Sequence, residues 1–168
     1  MPIPKARRLA PAGLPPVGGV DGIQCQAQEQ VLFHIHAHLT LFVDGAQRQV
    51  PLGIGIGPPR ELSPTPQGPF VTSGSCFMWL HTHATDGIIH IESPVQRTYT
   101  LGQFFDVWQQ PLSATRVGPA RGVVHALYNG RVYDGNPRTI PLTAHAQIQL
   151  EVGKPLLSQQ TISSWNGL

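Results

Sequence analysis

From Val31 to Val43 (VLFHIHAHLTLFV) every odd position is apolar, while the even positions carry His34, His36, His38 and Thr40. Alternation with a period of two over such a run predicts a long strand with one face in a core. Asp44-Gly45 follows as a hairpin turn, with a return strand near Gln47 to Leu52. The stretch 53–68 (GIGIGPPRELSPTPQG) reads as a long loop because glycine and proline interrupt any period. A second hairpin is expected from Cys76 to Glu92 (CFMWLHTHATDGIIHIE). Phe77, Trp79, His81 and His83 share one face of its first arm; Cys76, Met78, Leu80 and Thr82 share the other. After a turn at Asp86-Gly87, His90 and Glu92 alternate with Ile89 and Ile91. Helical spacing appears once, from Thr100 to Gln110. Leu101, Phe104, Phe105 and Trp108 fall at i, i+3, i+4 and i+7, Thr100 and Gln103 form a capping box, and Pro111 stops the run. Two further strands are expected at Gly122–Tyr128, followed by an Asn129-Gly130 turn, and at Ala144–Val152.

This order predicts an α+β domain, a mostly antiparallel β-sheet with one packed helix. A β-grasp-like arrangement is the preferred picture, and a β-barrel the alternative. The domain is expected over 25–154. Residues 1–24, rich in proline and glycine, read as an extended linker or tether, and 155–168 as a C-terminal tail. Lys5, Arg7 and Arg8 resemble the basic start of a signal peptide, but no apolar core follows them.

The histidines give the pattern a chemical meaning. Six of the chain's 8 histidines lie in two windows, 34–38 and 81–90. In the second hairpin a two-residue turn sets His83 opposite His90 and His81 opposite Glu92, whereas a four-residue loop sets His81 opposite His90. Both loops have even length, so both leave His81, His83, His90 and Glu92 on one face. Opposed β-carbons are about 4.5–5.5 Å apart, close enough for two imidazoles to reach one ion. On the first strand His34, His36 and His38 stand about 6.6–6.8 Å apart, so a straight strand cannot give all three to one ion. The expected site is mononuclear, with ligands drawn from His34, His36, His38, His81, His83 and His90, and a second, weaker site could form at the other end. Glu92 is open between ligand, general base and hydrogen-bond partner of a ligand. Phe77 and Trp79 are expected to line the pocket. Met78 faces the other way, which argues against blue copper. His125 and His145 read as ordinary half-exposed polar residues. The alternative for the whole cluster is a solvated or pH-sensing face.

Composition narrows the classes. Charged residues are 12% of the 168, and the net charge of +2 is too small and too scattered for a nucleic-acid footprint. No apolar run is long enough for a spanning helix, and 40% hydrophobic content argues against disorder. Cys25 and Cys76 match no zinc ribbon, haem or redox spacing; they could form one disulfide or be two separate buried thiols. A trimmed, exported protein, periplasmic or secreted, is slightly favoured over a cytoplasmic one. A monomer and a symmetric dimer are equally compatible with the surface.

His81-Thr82-His83 resembles the HxH of cupins, but eight residues, His90 among them, separate it from Glu92. The resemblance is limited to metal chemistry on strands. Neutral imidazoles suit copper or zinc first, and iron with a carboxylate. The preferred function is a small metalloenzyme, oxidative with copper or iron and hydrolytic with zinc, acting on a small-molecule substrate, with Glu92 or Asp86 handling protons. A non-catalytic copper or zinc carrier is the alternative, and an interaction domain with a structural metal the third.

Overall fold

The computed structural model describes residues 6–168; Met1–Lys5, part of the expected linker, lie outside the described residues. The long strand of the sheet is β3 (Phe33–Val43), after two short pieces, β1 (Arg7–Arg8) and β2 (Cys25–Gln26). Asp44 and Gly45 both take positive φ, 51° and 75°, the geometry that turns β3 tightly into β4 (Ala46–Gln49). The expected loop 53–68 is different. Residues 53–57 lie buried against 76–82 through hydrogen bonds such as Gly53 N–H to the Thr82 carbonyl and Met78 N–H to the Gly55 carbonyl. A Cβ at Gly55 would overlap the Leu80 carbonyl oxygen, which is why glycine sits there. Beyond it, β5 (Glu61–Thr65) and β6 (Gly68–Ser73) form a hairpin that carried no alternation signal, because β5 is exposed on both faces.

The chain then runs through β7 (Phe77–Met78), β8 (Leu80–His81) and β9 (Ile88–Ser93) to the helix α1 (Leu101–Trp108), capped by Thr100 and Gln103 as expected. A small meander, β10 (Leu112–Ser113), β11 (Arg116–Val117) and β12 (Ala120–Arg121), leads to the hairpin of β13 (Val124–Tyr128) and β14 (Arg131–Val132), and to the last strand β15 (Ala146–Val152).

The main sheet has the order β1-β4-β3-β15-β13-β14. One edge of β3 is shared: β4 pairs with Leu41–Val43, and β9 pairs with Phe33–His38 and carries β8 on its far side. The other edge of β3 pairs with β15, and that pair is parallel. The organisation is therefore α+β with a mixed sheet. The order ends at β1 and β14 without joining them, so the barrel alternative is not what forms. Hydrophobic alternation looks the same in parallel and antiparallel strands, so it could not announce the central parallel pair.

Ala37, Leu39, Leu41, Ile89, Ile91, Ile148 and Leu150 point to one side of this sheet and share one buried cluster with Leu101, Phe104, Phe105 and Trp108 of the helix. The opposite side carries the histidines. Segments of the expected linker and tail pack on the domain. Leu9, Ala10 and Ile23 are buried, and the Trp108 indole N–H donates to the Pro11 carbonyl. Residues 157–162 run along β15: Gln147 and Gln149 exchange hydrogen bonds with Leu157, Ser158, Gln160 and Ile162. Cys25 and Cys76 form a disulfide, which, with the β2–β7 pair, ties the leader to the arm that holds His81 and His83.

Candidate metal centre

The register of three strands builds the site. His36 of β3 is paired with His90 of β9, and His90 with His81 of β8, so three imidazoles stand in one row across the sheet. This is the register of the four-residue-loop alternative, although pairing stops at His81 and leaves 82–87 as the connection. One row along, His34 is paired with Glu92. Opposed residues project to the same side, and these side chains converge as two overlapping groups: His34, His36, His90 and Glu92, and His81, His83, His90 and Glu92. Within each group the candidate ligand atoms all lie within 4.8 Å of one another.

Backbone carbonyls fix the rings of the second group. His81 Nδ1 lies 2.7 Å from the Met78 carbonyl oxygen, and His83 Nδ1 lies 2.6 Å from that of Val71 on β6. A carbonyl oxygen can only accept, so each Nδ1 carries the hydrogen and each Nε2 presents a lone pair in the neutral ring. Those two Nε2 atoms face each other at 3.1 Å. Glu92 Oε2, buried and without a hydrogen-bond partner, lies 3.7 Å from His81 Nε2. Several acceptors thus point at one place with too few donors to pair them. A proton can satisfy one such pair; a metal ion satisfies all of them at once. Donation of the second ring N–H to a carbonyl is also how ligating histidines are held in orientation.

Burial sets the charges. It pushes His36 and His83 down to about 4, and His90 down to about 3, so these rings are neutral near pH 7 and available as ligands. Burial alone would raise Glu92, but the His81 and His90 imidazoles beside it hold it well below the usual carboxylate range. Its neighbour Glu29 moves the other way, raised to about 7 by burial and by a hydrogen bond to the Glu92 carboxylate. Two carboxylates side by side share one proton in this manner, with the negative charge left on Glu92.

Glu29 carried no sequence signal: it sits in an unpatterned glutamine-rich segment and reaches His83 Nε2, at 3.4 Å, only because the disulfide and β2 bring that segment over. The β6 hairpin was likewise unforeseen, and its Phe70 ring stacks on His83 with centroids 4.6 Å apart. A cavity of about 280 Å3 opens onto this group, lined by Glu29, Phe70, Thr72, His83, Glu92 and Leu168 among others.

The remaining expected residues divide. Phe77 stands beside the site, 5.6 Å from His81 ring to ring, whereas the Trp79 indole N–H donates to Gln26 and its ring belongs to the apolar core. His38 is set apart from both groups. Its Nε2 lies 2.8 Å from the Asp86 carbonyl and its Nδ1 3.5 Å from Thr40 Oγ1, so it braces the β8–β9 loop. The Asp86 carboxylate accepts from the Ile88 N–H at the start of β9 and belongs to neither convergent group. His125 is paired with Glu151, two strands from the cluster. His145 stacks on Trp165 at 4.2 Å and lines a second cavity, of about 320 Å3, beside His34 and His36.

Comparison of the chain with protein-family models, with curated proteins and with solved structures finds no match.

Proposed function

We propose that this protein is a small metalloenzyme whose transition-metal ion is held by His81, His83, His90 and Glu92. The observation that carries this is the buried confrontation of the His81 and His83 Nε2 atoms at 3.1 Å, with both Nδ1 hydrogens committed to backbone carbonyls. Three imidazoles and a carboxylate suit copper or zinc, with iron as the third candidate. A centre preorganised to this degree, beside a cavity large enough for a small substrate, fits catalysis: oxidation with copper or iron, hydrolysis by a metal-bound water with zinc. Glu29, protonated part of the time near neutral pH, stands at the mouth of that cavity and can exchange protons with what binds there.

A carrier remains the second reading, supported by His34. It is 39% exposed at its side chain and lies 3.2 Å from Glu92 Oε1, so it can receive an ion before the buried ligands do. A purely structural metal has less to explain, since a complete core and a disulfide already hold the domain. The order β4-β3-β15-β13, two antiparallel pairs joined by a parallel central pair with α1 between them in sequence, supports the β-grasp reading of the fold. The disulfide supports a periplasmic or secreted location, where such bonds persist.

Elemental analysis of untagged protein, with electron paramagnetic resonance, tests the metal. The expected result is a tightly held transition metal with several nitrogen ligands that a mild chelator removes slowly. Fast, complete loss to the chelator would favour the carrier. No metal on isolation, and none bound at micromolar concentration, would overturn the metal centre altogether.

A further inference from the structure

We infer that the centre is built for two metal ions bridged by Glu92, with a second seat formed by His34 and His36. The inference rests on the metal-centre reading above and adds to its single ion.

Two groups of four potential ligands exist, and they share His90 and Glu92. The Glu92 carboxylate divides between them. Oε1 lies 3.2 Å from His34 Nε2, and Oε2 lies 3.7 Å from His81 Nε2. Each oxygen therefore addresses a different set of imidazoles, as in two-metal sites, whose ions lie about 3.5–4 Å apart. His90 stands edge-on between the sets, its ring centroid 4.6 Å from that of His36 and 4.5 Å from that of His83, so one of its nitrogens can complete either seat.

A single ion at His81 and His83 leaves an anomaly on the other side. His36 Nε2 is buried and has no hydrogen-bond partner, although its residue is only 5% exposed. A buried nitrogen of this kind costs free energy unless something pairs with it. An ion held by His36, His34 and Glu92 Oε1 would supply that partner. The two seats also open separately: one on the cavity flanked by Glu29 and Phe70, the other on the cavity flanked by His36, Ala144 and His145. His34 and Leu168 line both cavities and form the wall between them. Two dications need more negative charge than one carboxylate provides, and a second carboxylate, that of Glu29, stands 3.4 Å from His83 Nε2.

Copper(II) added to the metal-free full-length chain tests this, with bound copper counted after dialysis and the paramagnetic signal followed through the titration. Wild type is expected to hold two ions per chain, and the signal from the first is expected to fall as the second enters, because the carboxylate couples the two spins. His34→Ala, a change at a partly exposed position that folding tolerates, should hold one ion with an undiminished signal. His83→Ala should also hold one. Glu92→Gln should abolish the coupling. One ion in wild type, unaltered by His34→Ala, overturns the second seat and leaves the first standing. Two ions without coupling, or two retained in His34→Ala, overturn the bridge as drawn. No bound copper overturns the underlying centre instead.

Discussion

The two faces of β3 are both closed to water between His36 and Phe42, and they are closed by opposite means. On one face Ala37, Leu39 and Leu41 pack under Phe104, Phe105 and Trp108, where each contact is apolar and interchangeable with others of similar volume. On the other face His36, His38 and Thr40 are equally buried, at 3–6% exposure, but every polar atom there needs a partner. Most have one: Gln149 of the adjoining strand reaches the tail, and His38 reaches the Asp86 carbonyl. Among the described residues three buried side-chain atoms lack one, and two of these, His36 Nε2 and Glu92 Oε2, lie in the histidine cluster. The third, Glu151 Oε2, is on the same face but away from the cluster, so two of the three unpaired atoms gather where the candidate ligands converge. The apolar face carries stability, and the polar face carries the candidate ligands.

Acid should expose this contrast most strongly. In the folded protein burial holds His36, His38 and His83 at about 4, and His90 at about 3, whereas in the unfolded chain each titrates near 6.5. Between those values the unfolded state binds protons that the folded state does not, so stability present above pH 6.5 is lost as pH falls toward 4. Metal-loaded protein should hold its ion until pH falls toward 4, where these rings begin to take up protons. Denaturant midpoints measured across this range should drop steeply in the metal-free protein; a flat profile would mean that the histidine face is wet. The helix-packed face should respond instead to volume. Phe105→Ala should cost about 3–5 kcal/mol in chemical denaturation while leaving the metal affinity of the folded molecules unchanged. A parallel loss of affinity would show that the faces are coupled.

Sequence parity reached far into this arrangement because it survives uncertainty about register. Either even-length loop leaves His81, His83, His90 and Glu92 on one face, and the register of the four-residue version formed, with Gly87 at φ 79°. The capping box of α1 was equally local and equally legible. What covers the polar face was not. Strands β5 and β6 contain Pro64 opposite Pro69 and little alternation, so their Phe70 and the Val71 carbonyl, which fix His83, had no pattern to announce them. Glu29 depends on a disulfide whose pairing spacing alone left open. His38 shares parity with His36 but stands one row further along, opposite Ile88, where the loop crosses over and takes its ring. Parity selects a face; only the register and the covering segments select the residues that meet on it.

Replacements within the histidine face can therefore separate ligands from braces. His83→Ala should weaken metal binding by roughly 100-fold or more, since even the outer partners of a ligand are worth up to about that much. His125→Ala, on the same face but beside Glu151, should change affinity little, as followed by competition with a chelator of known strength. Equal losses from the two would mean that binding is diffuse rather than seated.

The smallest effect, and the finest discrimination, belongs to His38→Ala. Its ring occupies the space over Gly87, where even a Cβ would come within 2.8 Å of His38 Nε2, and it donates to the Asp86 carbonyl. Removing it leaves a buried acceptor unpaired, a loss of about 1–3 kcal/mol in denaturation experiments. As His38 belongs to neither convergent group, the number of ions bound should stay the same and the affinity should move far less than in His83→Ala. If instead the ion count fell with His38→Ala, the loop would be part of the centre, and the line drawn here between ligand and brace would have to pass on its other side.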